Sequence, residues 1–100
     1  MTVGTIPNIA SMFGLSEGEL FSQAMVTFIQ EKKRQVLQTK LEMLARYGVD
    51  SVPALEMKIA NGDVPEHPSW EDLIIIENLS ERLVELDDNL RSLQESAGNS

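Results

Sequence analysis

The sequence contains no cysteine, which excludes a disulfide framework, a thiolate-based zinc or iron–sulfur site and a thiol nucleophile. Its one histidine, His67, leaves no paired-histidine metal site and no partner for a histidine-based triad. No cofactor is expected. Aromatic residues are scarce (Phe13, Phe21, Phe28, Tyr47 and Trp70), so the core must be mostly aliphatic. The longest aliphatic run, Leu73-Ile74-Ile75-Ile76, falls far short of the ~20 residues that cross a bilayer. Residues 1–15 lack the basic start and sustained apolar stretch of a secretory signal, and Met1-Thr2-Val3 lacks the second-position glycine of a myristoylation site. A cytoplasmic location is expected. Basic residues are also in short supply: 8 Lys and Arg against 16 Asp and Glu give a formal charge of −8. The net field repels phosphate, so neither nucleic acid nor an anionic membrane is an expected partner.

What is present, 100 residues with 42% hydrophobic content, suits one small folded domain. Gly4, Pro7 and Gly14 punctuate residues 1–15, which read as an irregular arm with at most one helical turn at Ile9–Phe13. Its apolar residues (Val3, Ile6, Ile9, Met12, Phe13) imply that the arm packs on a neighbouring helix. Ser16 followed by Glu19 is a capping-box signature, with Leu15 and Leu20 at the staple positions. No proline or glycine interrupts the stretch from Glu19 to Tyr47, and Gly48 offers a left-handed stop. A helix over 16–47 follows. Phe21, Met25, Phe28, Ile29, Val36, Met43 and Tyr47 fall on one side of it, beside a stripe of Val26, Leu37, Leu41 and Leu44. The polar stretch Gln30–Gln35 reads as a solvated belt or as the point where the helix leaves a core.

A short helix over 51–61 is expected from a cap at Asp50 or Ser51, a first-turn Pro53, the pair Leu55 and Ile59, and the stop at Asn61-Gly62. Asp63 to Pro68 reads as an extended connector, because each proline disfavours helix at the residue before it. Ser69 and Asp72 then look like a second capping box opening a helix over 69–95, and 96–100 like a frayed tail. In that helix Ile76, Leu79, Leu83, Leu86, Leu90 and Leu93 recur every three or four residues, a heptad seam that calls for a partner helix. Leu73, Ile75 and Val84 are expected to widen its apolar face.

These patterns give an all-α chain: a long helical hairpin with a short intervening helix. One hairpin covers one side of each long helix and leaves large side chains wet, each forgoing ~1.5–3 kcal/mol of burial. Self-association into a dimeric four-helix-like bundle or coiled coil is therefore expected, through Phe21, Met25, Phe28, Ile76, Leu79, Leu83, Leu86, Leu90 and Leu93. The alternative is that a different protein covers the exposed face.

Charge is unevenly divided: residues 1–49 hold five basic and four acidic residues, residues 50–100 three basic and twelve acidic. Antiparallel packing of the long helices would bring the two halves into contact. Glu77, Glu81 and Glu85, spaced at four, form an acidic ridge that is either a solvated face or a docking strip for a basic protein. Trp70 is either packed on the short helix or an anchor for a partner, since tryptophan is enriched at such anchors. Lys32, Lys33 and Arg34 point in three directions from one helix and form no phosphate-binding patch. His67, between two prolines, reads as a solvated loop residue.

The stretch Leu41–Ser51, then Leu55, Asn61-Gly62, Pro65–Asp72 and Glu77-Asn78-Leu79, resembles a loose group of small, mostly uncharacterised prokaryotic helical proteins. Some of that group are regarded as antitoxins of two-gene toxin–antitoxin modules. The similarity covers about residues 37–93 and rests on a Tyr-Gly turn, a short helix with a glycine stop, and an acidic, leucine-rich helix. It implies an inhibitor that neutralises a basic partner, such as a toxin, rather than a catalyst. The DNA-binding ribbon or helix-turn-helix of many antitoxins is not evident.

Overall fold

The computed structural model describes residues 5–98, with side chains described to residue 95. Its described residues form four helices and no strand: α1 (Thr5–Met12), α2 (Glu17–Ala45), α3 (Val52–Ala60) and α4 (Glu66–Gly98). The two long helices pack antiparallel along their length, α3 lies against α4, and α1 lies against α2. The molecule measures 60 × 29 × 17 Å with a radius of gyration of 19.6 Å, where a globular chain of this length gives about 13 Å. The all-α hairpin with a short intervening helix is thus what the chain forms.

Capping chemistry sets the boundaries. The Ser16 backbone N–H donates to Glu19 Oε1 at 3.0 Å and the Glu19 N–H donates to Ser16 Oγ at 3.1 Å, the reciprocal box anticipated from sequence. These bonds to Ser16 hold the Glu19 carboxylate below its usual pKa. At the far end of α2, Gly48 adopts φ 68°, and the Val49 and Gly48 N–H groups donate to the carbonyls of Leu44 and Ala45. That paired closure satisfies two carbonyls the helix would otherwise leave open. Ser51 caps α3 by accepting from the Ala54 N–H at 3.3 Å.

Three expectations need correction. The arm expected over 1–15 is not irregular where it is described: Thr5–Met12 is helical, with Pro7 in its first turn, where no intrahelical donor is lost, and residues 1–4 lie outside the described residues. Ala10 is buried, and Gly14 at φ 70° closes this helix as Gly48 closes α2. Ser69 is no N-cap: within α4 His67 is non-helical (φ −111°, ψ 121°), so the continuous helix runs from Pro68 and Ser69 lies in its first turn. The Ser69 side chain is fully buried, and its hydroxyl donates back to the carbonyls of Glu66, at 3.1 Å, and Pro65. Finally, the tail expected to fray at 96–100 is helical as far as Gly98, and 99–100 lie outside the described residues.

The core sits at the closed end of the hairpin. Met43, Leu44, Leu55, Ile59, Leu73 and Ile76 form one buried cluster, edged by Tyr47, Val49, Val52, Val64 and Leu79. Beyond it the leucine seam of α4 faces α2: Leu79, Leu83, Leu86, Leu90 and Leu93 are half-buried within one chain. Along α2, Val26, Ile29, Lys33, Val36, Lys40 and Met43 are buried or half-buried at spacings of three and four, so the two seams meet as a coiled coil does.

Candidate functional site

Two surfaces stand out from the hairpin, and both arise from apolar side chains that the single layer of helices fails to cover. The first is a hollow of about 340 Å³ between α3 and α4, bordered by Glu56, Ile59, Glu66, Trp70, Leu73 and Glu77. Ile59 and Leu73 belong to the buried core and form its floor. Trp70 lines this hollow and remains 51% exposed. Glu56, Glu66 and Glu77 have no ion-pair partner among the described residues. The ridge continues outward from this hollow: Glu77, Glu81 and Glu85 are all exposed, one turn apart along α4, and Glu85 meets Arg82 at 3.5 Å.

The second surface runs along α2. Leu37 and Leu41 are 44% and 48% exposed and line a shallow trough with Arg34, Gln38, Glu42 and Ala45. Leu37 also borders a neighbouring hollow that reaches Leu83 and Leu90 of α4. Around the trough, Arg34 donates to both oxygens of Glu31 at 2.7 and 2.9 Å and to Gln38 at 3.1 Å, and Gln38 donates to Glu42 at 3.1 Å. Hydrogen bonds from Arg34 and then Gln35 pull the exposed Glu31 carboxyl down to about 2.

The residues expected to pair copies of the chain are dispersed. Ile76 is fully buried in the intrachain core, so it is not available as a contact between chains, and the leucines after it are half-buried against α2. Phe21 and Phe28 are 66% and 58% exposed, and Met25 lies half-buried near Asn89 and Leu93. Phe28 and Leu37 are nine positions apart, a rotation of about 180° at ~100° per residue, so the two apolar strips of α2 flank the hairpin on opposite sides. Of the residues expected to widen the apolar face of α4, Leu73 is buried, whereas Ile75 and Val84 are exposed.

Charge is distributed differently from the anticipated belt. Lys33 faces α4 and pairs with Asp87, the cross-helix neutralisation that antiparallel packing implied, whereas Lys32 sits 5.4 Å from the Phe28 ring centre. His67 is exposed, with Nδ1 2.7 Å from Glu71 Oε1. The polar contact that sequence reading missed is Tyr47, whose hydroxyl donates to Asp72; it ties the end of α2 to the start of α4. Burial, then that bond, pushes the Tyr47 hydroxyl up to about 12. Lys58 Nζ closes the same corner by donating to the Tyr47 carbonyl at 2.8 Å. No cue marks it in the sequence, where Asp72 reads as the acid of Ser69's capping box.

Among the described residues no group of three or more metal-ligating side chains gathers, and no helix is long and apolar enough to cross a membrane. The Uncharacterized protein MJ0235 family matches residues 1–97, and the chain belongs to that family. No curated protein and no solved structure matches it.

Proposed function

We propose that this member of the MJ0235 family is a non-enzymatic interaction protein whose α3–α4 hollow receives a basic segment of a partner protein. The observation that carries this reading is Trp70, half exposed over an apolar floor and ringed by three carboxylates without cations. An arginine or lysine side chain laid there gains cation–π contact with the indole and donates charge-assisted hydrogen bonds to the rim carboxylates. The ridge of Glu77, Glu81 and Glu85 extends the negative field along α4 and speeds encounter with a basic surface. An inhibitor of a basic toxin works in this way, and the family resemblance read from the sequence agrees with it.

The test uses the chain's single tryptophan. A pentapeptide Ala-Leu-Arg-Leu-Ala, blocked at both ends, is expected to shift Trp70 fluorescence saturably. The same peptide with neutral citrulline in place of arginine should bind at least tenfold more weakly. Glu56→Gln, Glu66→Gln and Glu77→Gln together should erase that difference. Equal binding of the two peptides would remove the reading.

A second reading, a structural oligomerisation module with no inhibitory role, is favoured by the uncovered apolar strips of α2. Each strip is a surface on which a homodimer could be built.

A further inference from the structure

We infer that the Leu37–Leu41 trough of α2 is the surface on which two copies of this chain pair, antiparallel and about a twofold axis. The inference rests on the self-association reading above and names the surface it uses.

The exposed area calls for a cover of this size. The chain exposes 7051 Å², whereas a compact monomer of 11.1 kDa exposes about 5,700 Å² by the usual mass scaling. The surplus, about 1,400 Å², exceeds the ~800 Å² that each partner contributes to a stable interface. The cause is architectural: a slab 17 Å thick is one layer of helices, and domains ordinarily bury a layer against a second one. A second hairpin is such a layer.

The trough suits its own copy in both shape and charge. Leu37 and Leu41 lie four residues apart on one strip. In an antiparallel crossing centred at the level of Thr39, Leu37 of one copy meets Leu41 of the other, and the reverse contact follows by symmetry. Arg34 and Glu42, both in the trough lining, then fall within about two residues of register, ~3 Å along the axis, of each other's counterparts. Arg34, already held by Glu31 of its own chain, thereby comes near the other copy's Glu42, so each end of the strip meets a residue of opposite sign. The opposite strip lacks this pattern. Its Phe28 ring is already approached by Lys32 of its own chain, and a twofold contact centred there sets Lys32 opposite Ala24, with no acid to meet it.

Sedimentation equilibrium between about 1 and 100 μM is the experiment, with helicity followed by circular dichroism. The expected mass is twice the 11.1 kDa of one chain. Leu37→Glu with Leu41→Glu is expected to weaken association at least tenfold without loss of helix, because both side chains are already half in water. Arg34→Glu alone should weaken it, and adding Glu42→Arg should restore it, a rescue that only an antiparallel α2–α2 contact produces. Since the chain has no cysteine of its own, Gln38→Cys should form a disulfide dimer on oxidation and Phe28→Cys should not. A dimer broken by Phe28→Glu and untouched by the leucine changes would overturn the surface while leaving self-association standing. A single-copy mass across the whole range would overturn both.

Discussion

Tyr47 is the side chain through which the closed end of the hairpin is most directly held by a polar bond. Its hydroxyl donates to Asp72, and its carbonyl accepts from Lys58, so one residue binds the ends of α2, α3 and α4. Tyr47→Phe should lower stability by about 1–2 kcal/mol, since it leaves Asp72 without its donor; urea unfolding measures this. The raised pKa sets a sign as well. The unfolded tyrosine ionises near 10 and the folded one near 12, so the stabilisation is whole below pH 10 and is lost as pH climbs from 10 towards 12. As the only tyrosine in the chain, it is expected to show this late titration directly in its ultraviolet difference absorbance. Gly48 is the complementary case: its φ of 68° strains any residue with a Cβ, and Gly48→Ala should cost about 1 kcal/mol by thermal melting.

At the scale of the element, the caps and stops of α2 and α3 were legible, because a serine three residues before an acid and a glycine after a tyrosine carry their mechanism locally. Ser69 was misread for the same local reason. The connector expected from the prolines at 65 and 68 is largely present, since residues 63–65 are non-helical and His67 is extended. The continuous helix starts one residue earlier than expected, at Pro68, and takes the serine into its first turn. The arm over 1–15 hid a helix because Pro7 falls in a first turn, the one helical place that tolerates it. The seam of α4 was read correctly in its period but not in its destination: 3.5-residue spacing asks for a helix and cannot say whose. The trough at Leu37 and Leu41 escaped notice because those residues were grouped with the buried stripe of Val26 and Leu44. The Lys33–Asp87 pair lies at the edge of the seam, with both side chains a third to a half exposed, where such a pair contributes at most about 1 kcal/mol. Lys33→Ala with Asp87→Ala is expected to lower the unfolding free energy measured in urea by no more than about 1 kcal/mol.

For the whole molecule, the division between what is covered and what is not follows from one layer of helices. All but two of the residues buried among those described lie in the cluster near the turns or immediately beside it; Ala10 and Ile29 are the exceptions. Hydrogen exchange should therefore be slowest at residues 43–44, 55–59 and 73–76 and quicken steadily along α2 towards Glu17 and along α4 past Leu86. Uniform protection along both long helices in dilute solution would contradict this gradient. That the chain is a hairpin was readable from periodicity; that its outer surface would show a tryptophan over a lined hollow was not, because α3 and α4 meet there only after the chain has turned twice.

The crowding of buried side chains at one end gives the hairpin the mechanics of tongs. The joint is riveted by hydrocarbon, and the prongs are held mainly by leucines that already see water. Spread from the tips, such a tool yields progressively rather than all at once, so heat or denaturant should loosen the residues near Met25 and Leu93 well before the rivet gives way.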